Sequence, residues 1–187
     1  MRYPNLALCG KAQSGKDTVA AHLVAAHGYT RLAFADPLKE MALSVDPLIP
    51  TGHGIHVRLA RLIADVGWDY AKTHYPEVRR LLQHVGQTVR HYDTFFWIGL
   101  LLERAAQISG PVVVTDVRYR NEHRELRQAG FVPVRITRPG SGLDGSAGSH
   151  DSETNLDHLT FTDGIVNDGS LDLLHARVNV LVGAWSM

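Results

Sequence analysis

A short apolar run, Leu6-Ala7-Leu8-Cys9, stops at Gly10, and beyond it the period of the pattern changes. An apolar stretch of that length bounded by glycine reads as a strand buried on both faces. From Lys16 to His27 a helix is predicted, entered through the turn Gly10 to Gly15 and stopped by Gly28. Tyr29 to Ala35 reads as a second strand. Asp36-Pro37 supplies an N-cap and a proline at the first helical position, so three or more helices are expected to follow, up to about Ile108. After Ser109-Gly110-Pro111, the apolar run Pro111 to Thr115 predicts a strand, Asn121 to Ala129 a helix ended by Gly130, and Phe131 to Thr137 another strand. Pro139 to Ser149 is too rich in Gly and Ser to pack and reads as a mobile loop. Ile165-Val166-Asn167 predicts a last strand. Ser170 then caps a helix whose Leu171, Leu174, Val178 and Leu181 share one face.

Doubly apolar strands alternating with helices imply a parallel sheet covered on both sides, which makes the fold class α/β. Ligands of such sheets sit at the carboxyl ends of the strands. Three unusual segments lie at such ends, Gly10 to Thr18, Asp116 to Arg120 and Asn167 to Gly169, and they are predicted to converge.

At 187 residues with 44% hydrophobic positions, the chain fits one domain. Lys+Arg and Asp+Glu each number 19, so bulk charge makes no polyanion scaffold and nucleic acid is not an expected partner. No apolar run approaches the roughly 18 residues that span a bilayer, so no membrane partner and no export are expected, and the expected location is cytoplasmic. The lone Cys9 excludes an intramolecular disulfide and reads as a buried thiol. Of the basic residues 15 are Arg and 4 are Lys, a bias that means something only where an Arg meets a site.

The chemistry is concentrated in Gly10-Lys11-Ala12-Gln13-Ser14-Gly15-Lys16, a G-x-x-x-x-G-K run between a strand and a helix. Such a turn gathers backbone N–H groups and the positive end of a helix dipole around an anion, and Lys16 reaches the β- and γ-phosphates. This predicts a phosphate loop for ATP, formed by Gly10, Ala12, Gln13, Ser14, Gly15, Lys16, Asp17 and Thr18. Asp17 stands where the strict pattern has Ser or Thr. It is a candidate to hold Mg²⁺ or one of its waters, or to pair with an arginine, with Thr18 and Asp116 as the other metal candidates. Asp116 ends an apolar strand, a place that commonly faces the metal in nucleotide-binding folds and is otherwise a helix cap.

Phosphoryl transfer also needs cations, and Arg118, Arg138 and Arg90 stand at ends that face the predicted site. Arg79, Arg80, Arg124 and Arg127 read as exposed helix charges. The 11 histidines show no zinc spacing, and His53 and His56 read as surface imidazoles of a loop. Trp68, Phe95, Phe96 and Trp97 read most simply as core, although an acceptor site expects one aromatic on a base.

Together these blocks resemble the phage-type deoxynucleoside monophosphate kinases, members of the P-loop nucleoside monophosphate kinase superfamily. The resemblance rests on Cys9 to Thr18, with its Gly-Lys-Asp-Thr ending, on Phe34-Ala35-Asp36-Pro37-Leu38-Lys39, and on Leu81-Leu82-Gln83 with Gly86 and Arg90. It also rests on Asp116-Val117-Arg118 with Asn121-Glu122, and on His150-Asp151-Ser152-Glu153 with Asn167-Asp168-Gly169. It implies a three-layer P-loop fold with a parallel central sheet. The core would comprise 1–35, 109–138 and 161–187, with a helical acceptor-binding insertion at 36–108 and a short lid at 138–160. The activity implied is transfer of the γ-phosphoryl of Mg-ATP to a deoxynucleoside monophosphate, in the host cytoplasm if the gene is a phage's. Catalytic roles fall to Lys16, Asp17, Arg118 and Arg138. ATP would also meet Arg138, Asn167, Asp168 and Gly169. The acceptor would meet Phe34, Asp36, Lys39, Trp68, Gln83, Arg90, Asp116 and Arg118. Other small-molecule kinases on the same scaffold (adenylate, dephospho-coenzyme A, phosphomevalonate) and a nucleotide-dependent switch or assembly protein are the alternatives, and a homodimer stays open.

Overall fold

Val112, Val113 and Val114 have no polar side-chain atom on either face, so they are stable only as an inner strand with a layer on each side. A computed structural model describes residues 3–142 and 154–185 and puts these valines on an inner strand of a five-stranded sheet. The strands are β1 (Leu6–Cys9), β2 (Thr30–Leu32), β5 (Val112–Val117), β6 (Val132–Thr137) and β7 (Asp163–Val166), in the order β2-β5-β1-β6-β7. All four pairings are parallel. The helices in order are α1 (Lys16–His27), α2 (Ala35–Val45), α3 (Leu59–His74), α4 (Pro76–Tyr92), α5 (Phe96–Ala106), α6 (Arg120–Gln128) and α7 (Leu171–Ala184). A two-stranded antiparallel hairpin, β3 (Leu48–Gly52) with β4 (Ile55–Arg58), lies between α2 and α3.

The chain divides into two compact units, one of residues 1–34 with 98–187 and one of residues 35–97. In the first, Leu6, Leu8, Val113, Val134, Ile136 and Ile165 of the sheet pack with Val19, Ala20 and Leu23 of α1 and Leu174, Val178 and Val182 of α7. Cys9 is fully buried, as expected, and burial pushes its thiol up to about 12, which leaves it inert as a nucleophile. The α7 face is rotated from the expected one: Val182 is buried and Leu171 is exposed, because the helix rests on Leu174 and Val178 and Leu171 opens its first turn.

In the second unit, Ala42, Ile49, Leu59, Leu62, Ala71 and Val78 form a separate core. The hairpin corrects the expectation of helices throughout this region, since His53 has φ +50° between Gly52 and Gly54 and turns the chain tightly enough to pair Leu48 with Arg58. His53 and His56 are surface imidazoles, but of this turn and β4 rather than of an open loop. Gly67, at φ 75° and ψ 164°, breaks α3 into two segments. Phe95 is 48% exposed, so it is not the core residue its neighbourhood suggested, whereas Trp97 is buried and donates from Nε1 to the Gly86 carbonyl at 3.2 Å.

Second-strand and loop boundaries also moved. β2 pairs over only three residues, Thr30 to Leu32, and Ala35 already belongs to α2. The Gly-Ser-rich stretch and His150 to Glu153 lie outside the described residues, apart from Pro139 to Gly142.

Candidate active site

The turn after β1 takes a shape that side chains would forbid. Gly10 has φ +151°, and a Cβ there would stand 2.3 Å from the Ile136 carbonyl oxygen. Gly15 is left-handed at φ 99° and is the N-cap of α1, with no side chain capping the first turn. The positive end of the α1 dipole therefore lies at a cap made of backbone alone, as an anion site requires.

The carbonyls of this turn are occupied. Lys16 Nζ donates to Gly10 O and to Lys11 O, both at 2.7 Å, and the residue is 8% exposed. The Gly142 N–H donates to Ala12 O at 3.0 Å, and the Asn167 amide nitrogen donates to Ser14 O at 3.0 Å. By contrast Ser14 Oγ is buried and has no hydrogen-bond partner among the described residues. A buried hydroxyl without a partner loses its hydration with nothing in return, which suits it to a ligand atom.

Asp17 and Thr18 follow on α1 and are exposed, and no arginine pairs with Asp17 among the described residues. Asp116 does more than end a strand. It lies within β5, and its Oδ1 accepts the Phe34 N–H at 2.8 Å, continuing the β2–β5 pairing beyond its last backbone partners, Leu32 and Val114. The helix that follows β5 starts with a buried carboxylate, since Glu122, 3% exposed, accepts from the N–H groups of Arg118 and Tyr119 at 2.8 and 3.1 Å.

A cavity of about 230 Å³ opens beside Gly10 and Lys11, with Arg118, Arg135, Arg138 and Asp157 on its wall. The expected convergence therefore holds for the loop and Arg118, and for the loop and Asn167. Arg135 was missed by sequence reasoning. It stands between Val134 and Ile136, both buried, so its side chain emerges on the other sheet face. There it donates to Leu156 O at 3.1 Å, lies 4.8 Å above the Phe161 ring and is 3.7 Å from Asp157, whose other oxygen is 3.4 Å from Lys11 Nζ. The available signal was a lone charge inside an apolar strand. Asp168 pairs with Arg177 at 2.6 Å, and a Cβ on Gly169 would meet Leu173, so both are tied to α7.

In the second unit Lys39 Nζ is 5.7 Å from the centre of the Trp68 ring. Asp69 next to it is held below the usual carboxylate range by the hydrogen bond and charge of Lys72. Gln83 borders an open cavity of about 320 Å³ with Lys72, Thr73, Arg79 and Arg80. Gln83, Gly86 and Arg90 do lie on one helix, α4. Gly86, however, is not a gap for a ligand, because a Cβ there would stand 3.3 Å from Leu38 Cδ2, so the glycine admits Leu38. Asp36 and Arg90 are half-buried and each has interactions of its own. Among the described residues no group of three His, Cys, Asp or Glu side chains is arranged to hold a metal.

The family model of deoxynucleotide monophosphate kinases matches residues 51–178. A protein of Acanthamoeba polyphaga mimivirus, named provisionally as a deoxynucleotide monophosphate kinase, is 25% identical over 92% of this chain and 93% of its own length. An uncharacterized protein of Ictalurid herpesvirus 1, ORF76, is 34% identical over 50% of this chain and 41% of its own length. Among solved structures, TT1252 from Thermus thermophilus aligns over 98% of both chains at 20% identity, with a TM-score of 0.47 that marks a loose likeness. No helix among the described residues is long and apolar enough to cross a membrane. With the model match covering more than half of its length, the chain belongs to the deoxynucleotide monophosphate kinase family.

Proposed function

We propose that the loop Gly10 to Thr18 binds the triphosphate of ATP, and that residues of the second unit bind the deoxynucleoside monophosphate that receives its γ-phosphoryl. The observation that carries this reading is the turn itself. The carbonyls of Gly10, Lys11, Ala12 and Ser14 are engaged by Lys16, Gly142 and Asn167, while the buried Ser14 hydroxyl has no partner among the described residues and α1 starts at a cap made of backbone alone.

The chemistry asks little of the protein beyond placement and charge. An oxygen of the acceptor phosphate attacks the γ-phosphorus, the bond from that phosphorus to the β,γ-bridging oxygen breaks, and ADP leaves. Lys16 exchanges the carbonyls of Gly10 and Lys11 for β- and γ-oxygens. Arg118 and Arg138, on the wall of the cavity beside the loop, offset charge on the transferring group. Asp36, Lys39, Trp68, Gln83 and Arg90 recognise the acceptor, with Trp68 as the stacking surface for a base and Arg90 as the phosphate fork.

Mg²⁺ fits this donor set, because Asp17, Thr18 and Asp116 offer hard oxygens and Asp17 and Thr18 are exposed beside the loop. When bound, it supplies charge neutralisation across the β- and γ-phosphates.

The test is a panel of deoxynucleoside and ribonucleoside monophosphates in an assay coupled to ADP release. ADP formation that requires a deoxynucleoside monophosphate is the expected result. ADP formation driven instead by adenylate-type, coenzyme or isoprenoid acceptors would replace the acceptor assignment while leaving the loop.

A further inference from the structure

Lys16 has two jobs in the reading above, and they compete for one ammonium. Its ammonium donates to the carbonyls of Gly10 and Lys11 and so holds the turn together, and as the reading above requires, it shifts toward phosphate when the nucleotide binds. Something else must then keep the turn open. The Ser14 carbonyl lies one residue from the left-handed Gly15, and it is held at 3.0 Å by the amide of Asn167, which follows β7 directly. The fit is close on the other side as well, because a Cβ on Gly15 would stand 2.5 Å from the same amide nitrogen. The Asn167 N–H is itself fixed, donating to Thr137 O at 2.7 Å at the end of β6. The tether therefore runs from the frame of the sheet to the turn and does not involve Lys16.

We propose that Asn167 is a positioning residue of the phosphate loop, holding the Ser14 carbonyl outward so that the turn keeps its shape when Lys16 moves to the phosphates. This assigns Asn167 a role toward the polyphosphate, and through the loop rather than by touching the nucleotide base. It rests on the phosphate-loop reading.

Inorganic tripolyphosphate separates the two roles because it has no base. Asn167→Ala removes the donor without adding charge, and Asn167→Leu removes it at nearly constant shape. Calorimetric binding of ATP and of tripolyphosphate should weaken by about tenfold in both variants, the size of one lost hydrogen bond to an anchored group. The KM for the monophosphate should stay within about twofold, a split that general damage to the fold would not give. Weaker ATP binding with unchanged tripolyphosphate binding would make Asn167 a base contact and overturn the inference, as would no change in either. In the wild type, the Asn167 side-chain amide should stay protected from hydrogen exchange with and without tripolyphosphate. Its release on binding would overturn the inference even if both variants failed to fold. A wild type that binds neither ligand would instead remove the phosphate-loop reading itself.

Discussion

The carboxyl edge of the sheet in the first unit and the exposed helix faces of the second use charged and polar side chains differently. In the first, several at the carboxyl edge of the sheet bond to main chain: Lys16 to two carbonyls, Asn167 to one, Arg135 to Leu156, and Asp116 to the Phe34 amide. In the second, the exposed helices carry pairs of side chains at three- or four-residue spacing, Arg61 with Asp65, Lys72 with Asp69, and Arg80 with Glu77. The difference is one of energy and of information. Exposed helix pairs stabilise by about 0.3–0.5 kcal/mol and could be moved along the helix with little effect. A side chain that satisfies a backbone group in a fixed turn cannot be moved, and leaving that group unsatisfied costs about 1–3 kcal/mol. Bonds from side chain to main chain mark where the molecule is built to hold a shape.

The comparison can be broken most forcefully at Lys16. Lys16→Ala should lower kcat by roughly two or more orders of magnitude while circular dichroism shows a retained fold, since the lost interaction belongs to the transition state. A variant that folds and turns over normally would remove the loop from the chemistry.

Arg90→Lys tests the acceptor side. If Arg90 forks onto the acceptor phosphate, kcat/KM for the monophosphate should fall by about 1–3 kcal/mol, because lysine cannot reproduce the planar fork. The KM for ATP should barely change, and equal damage to both substrates would put the acceptor elsewhere in residues 36–108.

Asp116 separates structure from metal. Asp116→Ala leaves the Phe34 amide without its acceptor and should lose about 1–3 kcal/mol in urea unfolding. Asp116→Asn keeps an acceptor and should unfold near the wild-type midpoint, while its magnesium titration of the rate shifts if the second oxygen serves the metal. An unshifted titration would make the role of Asp116 structural.

The smallest effect belongs to the exposed pairs. Arg61→Ala should change stability by no more than about 0.5 kcal/mol, a shift in Tm of roughly 1–2 °C. A larger loss would mean that pairs of this kind carry more of the second unit than their exposure allows.

Much of the first unit is legible in sequence for the same reason that it is rigid. Leu6–Cys9 and Lys16–His27 are bounded by glycines that the geometry needs, so pattern and fold end at the same residues. The hairpin was not legible. The stretch around His53 and His56 reads as a loop with surface imidazoles, whereas an antiparallel pair tolerates proline on an edge and uses glycine to turn. Within the site, Lys16, Arg118 and the loop were visible as types at fixed spacing. Arg135 and the Asp157 contact were not, because a lone charge in a strand looks like any solvated residue until residues 156–161 are seen against it. The purpose of Gly86 was hidden for a related reason, since Leu38, which fills the space, is far away in sequence.

Phosphorus NMR of ATP, Mg²⁺ and a deoxynucleoside monophosphate mixed with the enzyme tests the central claim most directly. The account predicts that the γ-phosphate signal of ATP declines as the β-phosphate signals of ADP and of the deoxynucleoside diphosphate grow in equal amounts, with no inorganic phosphate and no transfer in Lys16→Ala. Inorganic phosphate in place of the second diphosphate, or transfer that persists without Lys16, would contradict it.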